Sequence, residues 1–191
     1  MRIGLHGERR EIDTGTVNGE RFAVMAGAGF DALMISDASR RMKARLGRFS
    51  YLYTGARNLS VRGTKAVIKV DGSSFFSGRV SCVLVGNVGR LFGGIEVFSR
   101  ARPDDGRLDV GVVTAQNPGE WARTLARVAA GSPRKSPSIR VTQGCRITVR
   151  FNRACPYELD GGARTAVTKL QFKVRPASIR ICVPGGAGTS R

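Results

Sequence analysis

Nine short runs rich in Val, Ile and Phe, set apart by Gly, Pro, Asn and Asp, constrain this chain more than any other feature of its sequence. They are Arg10–Asp13, Phe22–Ala26, Thr64–Val70, Val80–Val85, Leu108–Val113, Ser138–Thr142, Cys145–Phe151, Thr168–Val174 and Ser178–Val183. Several alternate apolar with polar residues, as in Lys65-Ala-Val-Ile-Lys-Val70, which is the pattern of a strand with one buried face. Asp71-Gly72 ends that run and predicts a tight hairpin into Ser73–Phe76. Many short strands at this spacing predict a sandwich or a curved antiparallel sheet.

Helical signals are fewer. Pro118–Ala130 is the clearest: Asn117 can cap it, Pro118 suits the first turn, and Glu120 stands three positions after the cap. Trp121, Leu125 and Val128 make one apolar face, and Gly131 closes the segment. A second helix is expected from Ala32 to about Arg45, and a third over Phe49–Leu59. The expected fold class is α+β and mostly β, a β-sandwich-like domain with two or three peripheral helices. It is expected to occupy residues 1–184, with 185–191 as a flexible tail. No repeat is visible, and neither Gly131–Pro137 nor the tail separates two domains.

Composition narrows the function classes. A hydrophobic content of 41% is too high for a disordered basic tail. With 32 Lys and Arg against 14 Asp and Glu, the net charge is 32 − 14 = +18, which favours anionic partners or simply solubility. The most apolar window, Phe22–Phe30, is stopped by Asp31, so no stretch approaches the roughly 20 residues of a membrane span. The first residues also lack the continuous apolar region of a signal peptide. A cytoplasmic location is expected, with peripheral contact at the inner membrane face left open. The single histidine, His6, excludes multi-histidine metal sites and argues against a Ser-His-Asp triad. Acid–base chemistry must therefore rest on carboxylates. Cys82, Cys145, Cys155 and Cys182 lack zinc or redox spacing and read as buried free thiols.

Several motifs carry a chemical and a plain reading side by side. Phe22–Ala26 running into Gly27-Ala-Gly29 imitates a dinucleotide fingerprint, but Phe49–Tyr53 supplies no carboxylate where one is needed, and that reading is rejected. The glycines fit places where backbone passes close to a strand or a ligand. Asp31 is either a helix-start carboxylate or a site residue. The Asp104-Asp105-Gly106 turn can hold a hard cation or be an ordinary turn. Asp160-Gly161-Gly162 offers a carboxylate beside flexible backbone, as a general base needs, or is a hairpin turn. Arg40, Arg41, Lys43, Arg45 and Arg48 either contact phosphate or lipid or form a solvated face. Aromatic interleaving for nucleic acid is not seen, and no nucleic-acid partner is expected.

Read in order, Ile12-Asp13-Thr14-Gly15, Ala26–Ala32, Lys43–Tyr51, Asn87–Gly94, Asp104–Val110 and Leu159–Gly161 resemble the diacylglycerol kinase and sphingosine kinase superfamily, especially the YegS-like bacterial lipid kinases. The resemblance covers nearly the whole chain but only the C-terminal, substrate-side domain of those enzymes. Their N-terminal ATP-binding domain, with its Gly-Gly-Asp-Gly-Thr type loop, has no counterpart here, so a separate domain or subunit is the expected partner and turnover by this chain alone is not expected. The resemblance implies transfer of phosphate from ATP, with Mg2+, to a lipid alcohol such as diacylglycerol at an anionic membrane surface. By the same resemblance Asp160 is the general base and Asp13 belongs to the magnesium network. A structural cation would sit on Asp105 and the carbonyls of Arg102 and Arg107. Two positions depart from the family pattern: Gly162 replaces a Glu beside the base, and Ser99 replaces a Pro. Two alternatives stand beside the kinase: a non-catalytic domain that binds anionic lipid or a partner, favoured by Gly162, and a relative of the NAD kinases.

Overall fold

A computed structural model of the chain describes residues 3, 7–29, 63–90, 96–129 and 136–184. Along the chain these form β1 (Glu8–Val17), β2 (Glu20–Phe22), β3 (Met25–Gly29), β4 (Thr64–Val70), β5 (Ser73–Val80), β6 (Cys82–Gly86), β7 (Leu108–Val113), α1 (Pro118–Ala129), β8 (Ile139–Gly144), β9 (Arg146–Leu159) and β10 (Gly162–Val183). The strands pair antiparallel in the order β2-β1-β10-β9-β3-β6-β7-β8, and β5 and β4 branch off β9.

The branch point explains how one sheet becomes two layers. The first half of β9 pairs with β4, Ile147–Phe151 lying opposite Ala66–Val70, while its last residues pair with β3, Tyr157–Leu159 opposite Ala26–Ala28. Between the two halves the β9–β10 register shifts on either side of Val167. Such irregularities bend and twist a strand, which lets the two branches fold toward each other. Ile68, Val149, Leu170 and Phe172 from one branch join Val83, Val85, Val110 and Val112 from the other in a single buried cluster. The ring edge of Phe22 meets Phe172 with centroids 6.4 Å apart, a favoured aromatic geometry.

Burial follows the alternation in the sequence. In β4, Thr64, Ala66 and Ile68 are buried while Lys65, Val67 and Lys69 are exposed. All six residues of β7 are buried, because the strand is covered on both faces. On one of them Trp121 of α1 packs with Cys82, Val113 and Ala115. The helix starts as its capping residues predict. Asn117 Oδ1 accepts from Glu120 N at 2.9 Å, and the Glu120 carboxylate accepts from Gln116 N at 2.7 Å.

The mostly β, sandwich-like expectation agrees with this architecture, and the helix at Pro118 is present. The helices expected over Ala32–Arg45 and Phe49–Leu59, the basic cluster between Arg40 and Arg48, Asp31 and the tail all lie outside the described residues. Boundaries moved where tertiary bonds override local pattern. Phe22–Ala26 is two strands, interrupted at Ala23 and Val24, whose N–H groups serve a distant carboxylate. The runs at 168–174 and 178–183 are one strand, continuous through a left-handed Ala177. The reading of all four cysteines as buried is corrected: Cys82 and Cys155 are buried, but Cys145 and Cys182 are exposed. Cys182 sits on the part of β10 paired only with the exposed start of β1, and Cys145 lies between strands.

Candidate active site

Asp160 and Gly161 form the two-residue tip of the β9–β10 hairpin, with φ of 45° and 87°. Both values are left-handed, as a tight hairpin turn requires, and Asp tolerates them better than most residues. The Asp160 side chain reaches across to the break between β2 and β3. Its Oδ2 accepts from Ala23 N at 2.7 Å, and its Oδ1 accepts from Val24 N and Met25 N at 2.9 Å each. Asp160 N donates back to Met25 O at 2.9 Å. A carboxylate has about four acceptor directions. Three are used for anchoring, which leaves one on Oδ2 at an exposed position.

The other side of the same tripeptide is held by Asn87, which directly follows β6. Its backbone N–H donates to Val24 O at 3.0 Å, and its Nδ2 donates to Ala23 O at 3.2 Å and to Asp13 O at 2.7 Å. Residues 23–25 are therefore clasped between the carboxylate of Asp160 and the amide of Asn87. Asn87 is only 1% exposed. Its Oδ1 is buried and, among the described residues, has no hydrogen-bond partner.

Asp13, 3% exposed, lies at a register irregularity of β1. Its Oδ2 accepts from Gly106 N at 2.7 Å and its Oδ1 from Ala177 N at 2.9 Å, while Asp13 N donates to Pro103 O at 2.6 Å. The acidic turn is thereby fastened to β1 and β10. Within it Asp105 Oδ1 accepts from Arg107 N at 3.0 Å, and Asp104 pairs with Arg10. Arg102, Asp105 and Arg107 are exposed.

One chain of hydrogen bonds thus runs from the 103–106 turn through Asp13, Asn87 and residues 23–25 to Asp160. It joins Asp13 to Asp160 by way of Asn87 and puts Asp105 beyond Asp13. Among the described residues no group of three or more His, Cys, Asp or Glu is placed to hold one metal ion. Beside the tip, Glu158 is 2% exposed and its Oε2 accepts from Gly161 N at 2.8 Å. Gly162 is overlaid by the guanidinium of Arg164, which bonds Gly162 O at 3.2 Å and Glu20 at 2.7 Å. A Cβ at Gly162 would stand 3.0 Å from Arg164 Nη1. Sequence reasoning singled out Asp13 and Asp160 but not the bond-by-bond part played by Asn87. The available signal was a lone amide ending a fully apolar run, where an unpaired polar group is costly.

Comparison with known proteins supplies the context. Residues 24–183 match the family described as the YegS C-terminal NAD kinase beta sandwich-like domain. A Pseudomonas fluorescens protein named "Probable lipid kinase YegS-like" is 30% identical over 92% of this chain and 58% of its own length. The diacylglycerol kinase of Bacillus subtilis is 29% identical over 82% of this chain and 52% of its own. The chain thus spans a little over half the length of these relatives. A solved diacylglycerol kinase from Bacillus anthracis str. Sterne superposes with a TM-score of 0.71 at 20% identity, covering 95% of this chain and 58% of that one. An NAD kinase from Archaeoglobus fulgidus shares the fold more distantly, with a TM-score of 0.50 and 10% identity.

Proposed function

The chain belongs to the YegS C-terminal NAD kinase beta sandwich-like domain family, and from that premise we propose that it is the acceptor side of an ATP-dependent lipid kinase. The substrate class is a lipid alcohol such as diacylglycerol, presented at an anionic membrane surface. A nucleotide-binding domain or subunit would complete the site, with residues 1–184 acting as one unit. The observation that carries the reading is the anchored carboxylate of Asp160, with three acceptor directions fixed by backbone and a fourth left on Oδ2 of an exposed residue.

In this reading the fourth direction, on Asp160 Oδ2, receives the hydroxyl proton. The hydroxyl oxygen forms its bond to the γ-phosphorus of ATP while the bond to the bridging oxygen of ADP breaks. Phosphoryl transfer depends mainly on positioning and charge stabilisation, so an immobile acceptor is an asset. Bound Mg2+ would neutralise phosphate charge. Asp13 fits a place in its network only through intervening water, since burial closes it to direct contact. The carboxylate of Asp105 and the carbonyls of Arg102 and Arg107 are all hard oxygen donors of the kind a structural cation takes.

The test is phosphorylation of diacylglycerol by this chain together with the nucleotide-binding domain or subunit that completes it. Asp160→Asn sets an amide donor against one of the backbone N–H groups that Asp160 accepts from; with folding checked by circular dichroism, it is expected to lower kcat by about a hundredfold or more. Unchanged turnover in that variant would remove Asp160 from the mechanism. A second reading, a non-catalytic lipid- or partner-binding domain, is favoured by the Arg164 guanidinium lying over Gly162. Vesicle binding with no ATP consumption, unaffected by Asp160→Ala, would select it.

A further inference from the structure

Away from Asp160, the outward face of the sheet formed by β4, β9 and β10 is a cationic array. Residues directly opposite in an antiparallel pair point to the same side. The register therefore puts Lys65, Lys69, Arg146, Arg150, Lys169 and Lys173 on one face, opposite the buried Ile68, Val149 and Phe172. Two cross-strand pairs set like charges directly against each other, Arg150 opposite Lys169 and Arg146 opposite Lys173. A third is Lys65 opposite Arg79 of β5. Like charges in this arrangement destabilise a sheet. Among the described residues, the ion pairs found use Arg10, Arg90, Arg164 and Arg180, and none of the six.

The face also has shape. An open cleft of about 520 Å³ is lined by Lys69, Asp71, Gly72, Cys145, Arg146 and Thr148. The Asp71 carboxylate, held by Cys145 N at 3.0 Å and Arg146 N at 2.7 Å, keeps its negative charge there. Two cations and a hydroxyl, set against that one anion, border a hollow wide enough for a phosphate group. Val67, 42% exposed, stands in the same array opposite Arg150.

We propose that this β4–β9–β10 face docks on an anionic phospholipid bilayer, with a lipid phosphate seated between Lys69, Arg146 and Thr148. The inference rests on the lipid-kinase reading for the choice of a bilayer, and on charge complementarity for the choice of face. A cationic array with an exposed aliphatic residue suits a headgroup plane. Its register positions carry no aromatic side chain on which bases would stack, which disfavours single-stranded nucleic acid.

The test compares sedimentation of the 191-residue chain with vesicles of phosphatidylglycerol and phosphatidylcholine against phosphatidylcholine alone. Each Lys or Arg near an anionic surface strengthens binding about fivefold. Lys69→Gln, Arg150→Gln and Lys169→Gln together are thus expected to weaken partition about a hundredfold. A control with the same charge loss, Arg9→Gln, Arg123→Gln and Arg140→Gln, is expected to lose far less. A second face variant, Lys65→Gln, Arg146→Gln and Lys173→Gln, repeats the test if the first does not fold. Equal losses in face and control variants overturn the assignment, as does tighter binding to single-stranded DNA than to the anionic vesicles. Diacylglycerol phosphorylation in neutral detergent micelles by the chain with its nucleotide-binding domain or subunit does not need this face. Its absence would defeat the kinase reading while leaving the vesicle result to stand or fall separately.

Discussion

Asn87 Nδ2 donates to the main-chain carbonyl of Asp13 at 2.7 Å, so the two carboxylate-bearing segments of the candidate site are joined by one amide. The same nitrogen holds Ala23 O, and Ala23 N in turn is held by Asp160. Loss of the amide would strand the Asp13 carbonyl in a buried contact and take a partner from the part-buried Ala23 carbonyl.

Asn87→Leu is therefore expected to destabilise the fold by about 3 kcal/mol, at the upper end for unsatisfied buried acceptors. Asn87→Asp is expected to be at least as damaging, because it presents an oxygen to carbonyl oxygens. Urea denaturation of the parent and both variants measures this. A loss below about 0.5 kcal/mol for Asn87→Leu would mean that the clasp contributes nothing net.

Ala177 has φ of 46° within β10, a conformation that costs an L-residue with a Cβ about 1–2 kcal/mol. Asp13 Oδ1 accepts from its N–H and holds it there. Ala177→Gly is expected to raise stability by up to about 1 kcal/mol, the relief being partly offset by the entropy of glycine. Thermal melting reads the sign. A lower melting temperature would show that the left-handed geometry carries no strain.

The resemblance implies a Glu at the position of Gly162, and that side chain can be introduced there. A Cβ there meets the guanidinium of Arg164 at 3.0 Å and Leu159 O at 3.3 Å, without a left-handed φ. Gly162→Glu is expected to cost less than about 1 kcal/mol, with the new carboxylate pairing with Arg164. Gly29→Ala is the contrast. Gly29 has φ of 91° and its Cβ would fall 2.5 Å from Ser81 O, so a loss above about 2 kcal/mol is expected. Comparable losses in the two variants would show that the space above Gly162 is not available.

Much of the fold was legible because the local signals agree with the tertiary result. The alternation of Lys65–Val70 gave β4, Asp71-Gly72 gave its hairpin, and Asn117 with Glu120 gave the helix start. What stayed hidden depends on contacts far apart in sequence. Nothing near Ala23 announces that its N–H is claimed by Asp160, 137 residues away. Nor does a list of Lys and Arg positions reveal that β9 and β10 set them opposite each other, because register decides that. The cysteines divided for the same reason: apolar neighbours mark a strand, but pairing decides which strands are covered.

That division supports a last prediction. Cys145 and Cys182 are exposed, whereas Cys82 and Cys155 are buried, so a soluble thiol reagent is expected to label two sites quickly and two only on unfolding. Burial pushes the Cys155 thiol up, against a weaker opposing pull from Arg153. The folded protein therefore keeps the Cys155 proton at a pH where the unfolded chain has released it. By linkage this contribution to stability is whole below the ordinary thiol range and is lost as pH rises through the raised value. Cys155→Ala is expected to lower stability near neutral pH by removing buried sulfur, and to flatten the decline on the alkaline side. Denaturation curves at several alkaline pH values, run for parent and variant together, check the slope. An equally steep decline in Cys155→Ala would place its cause in another group.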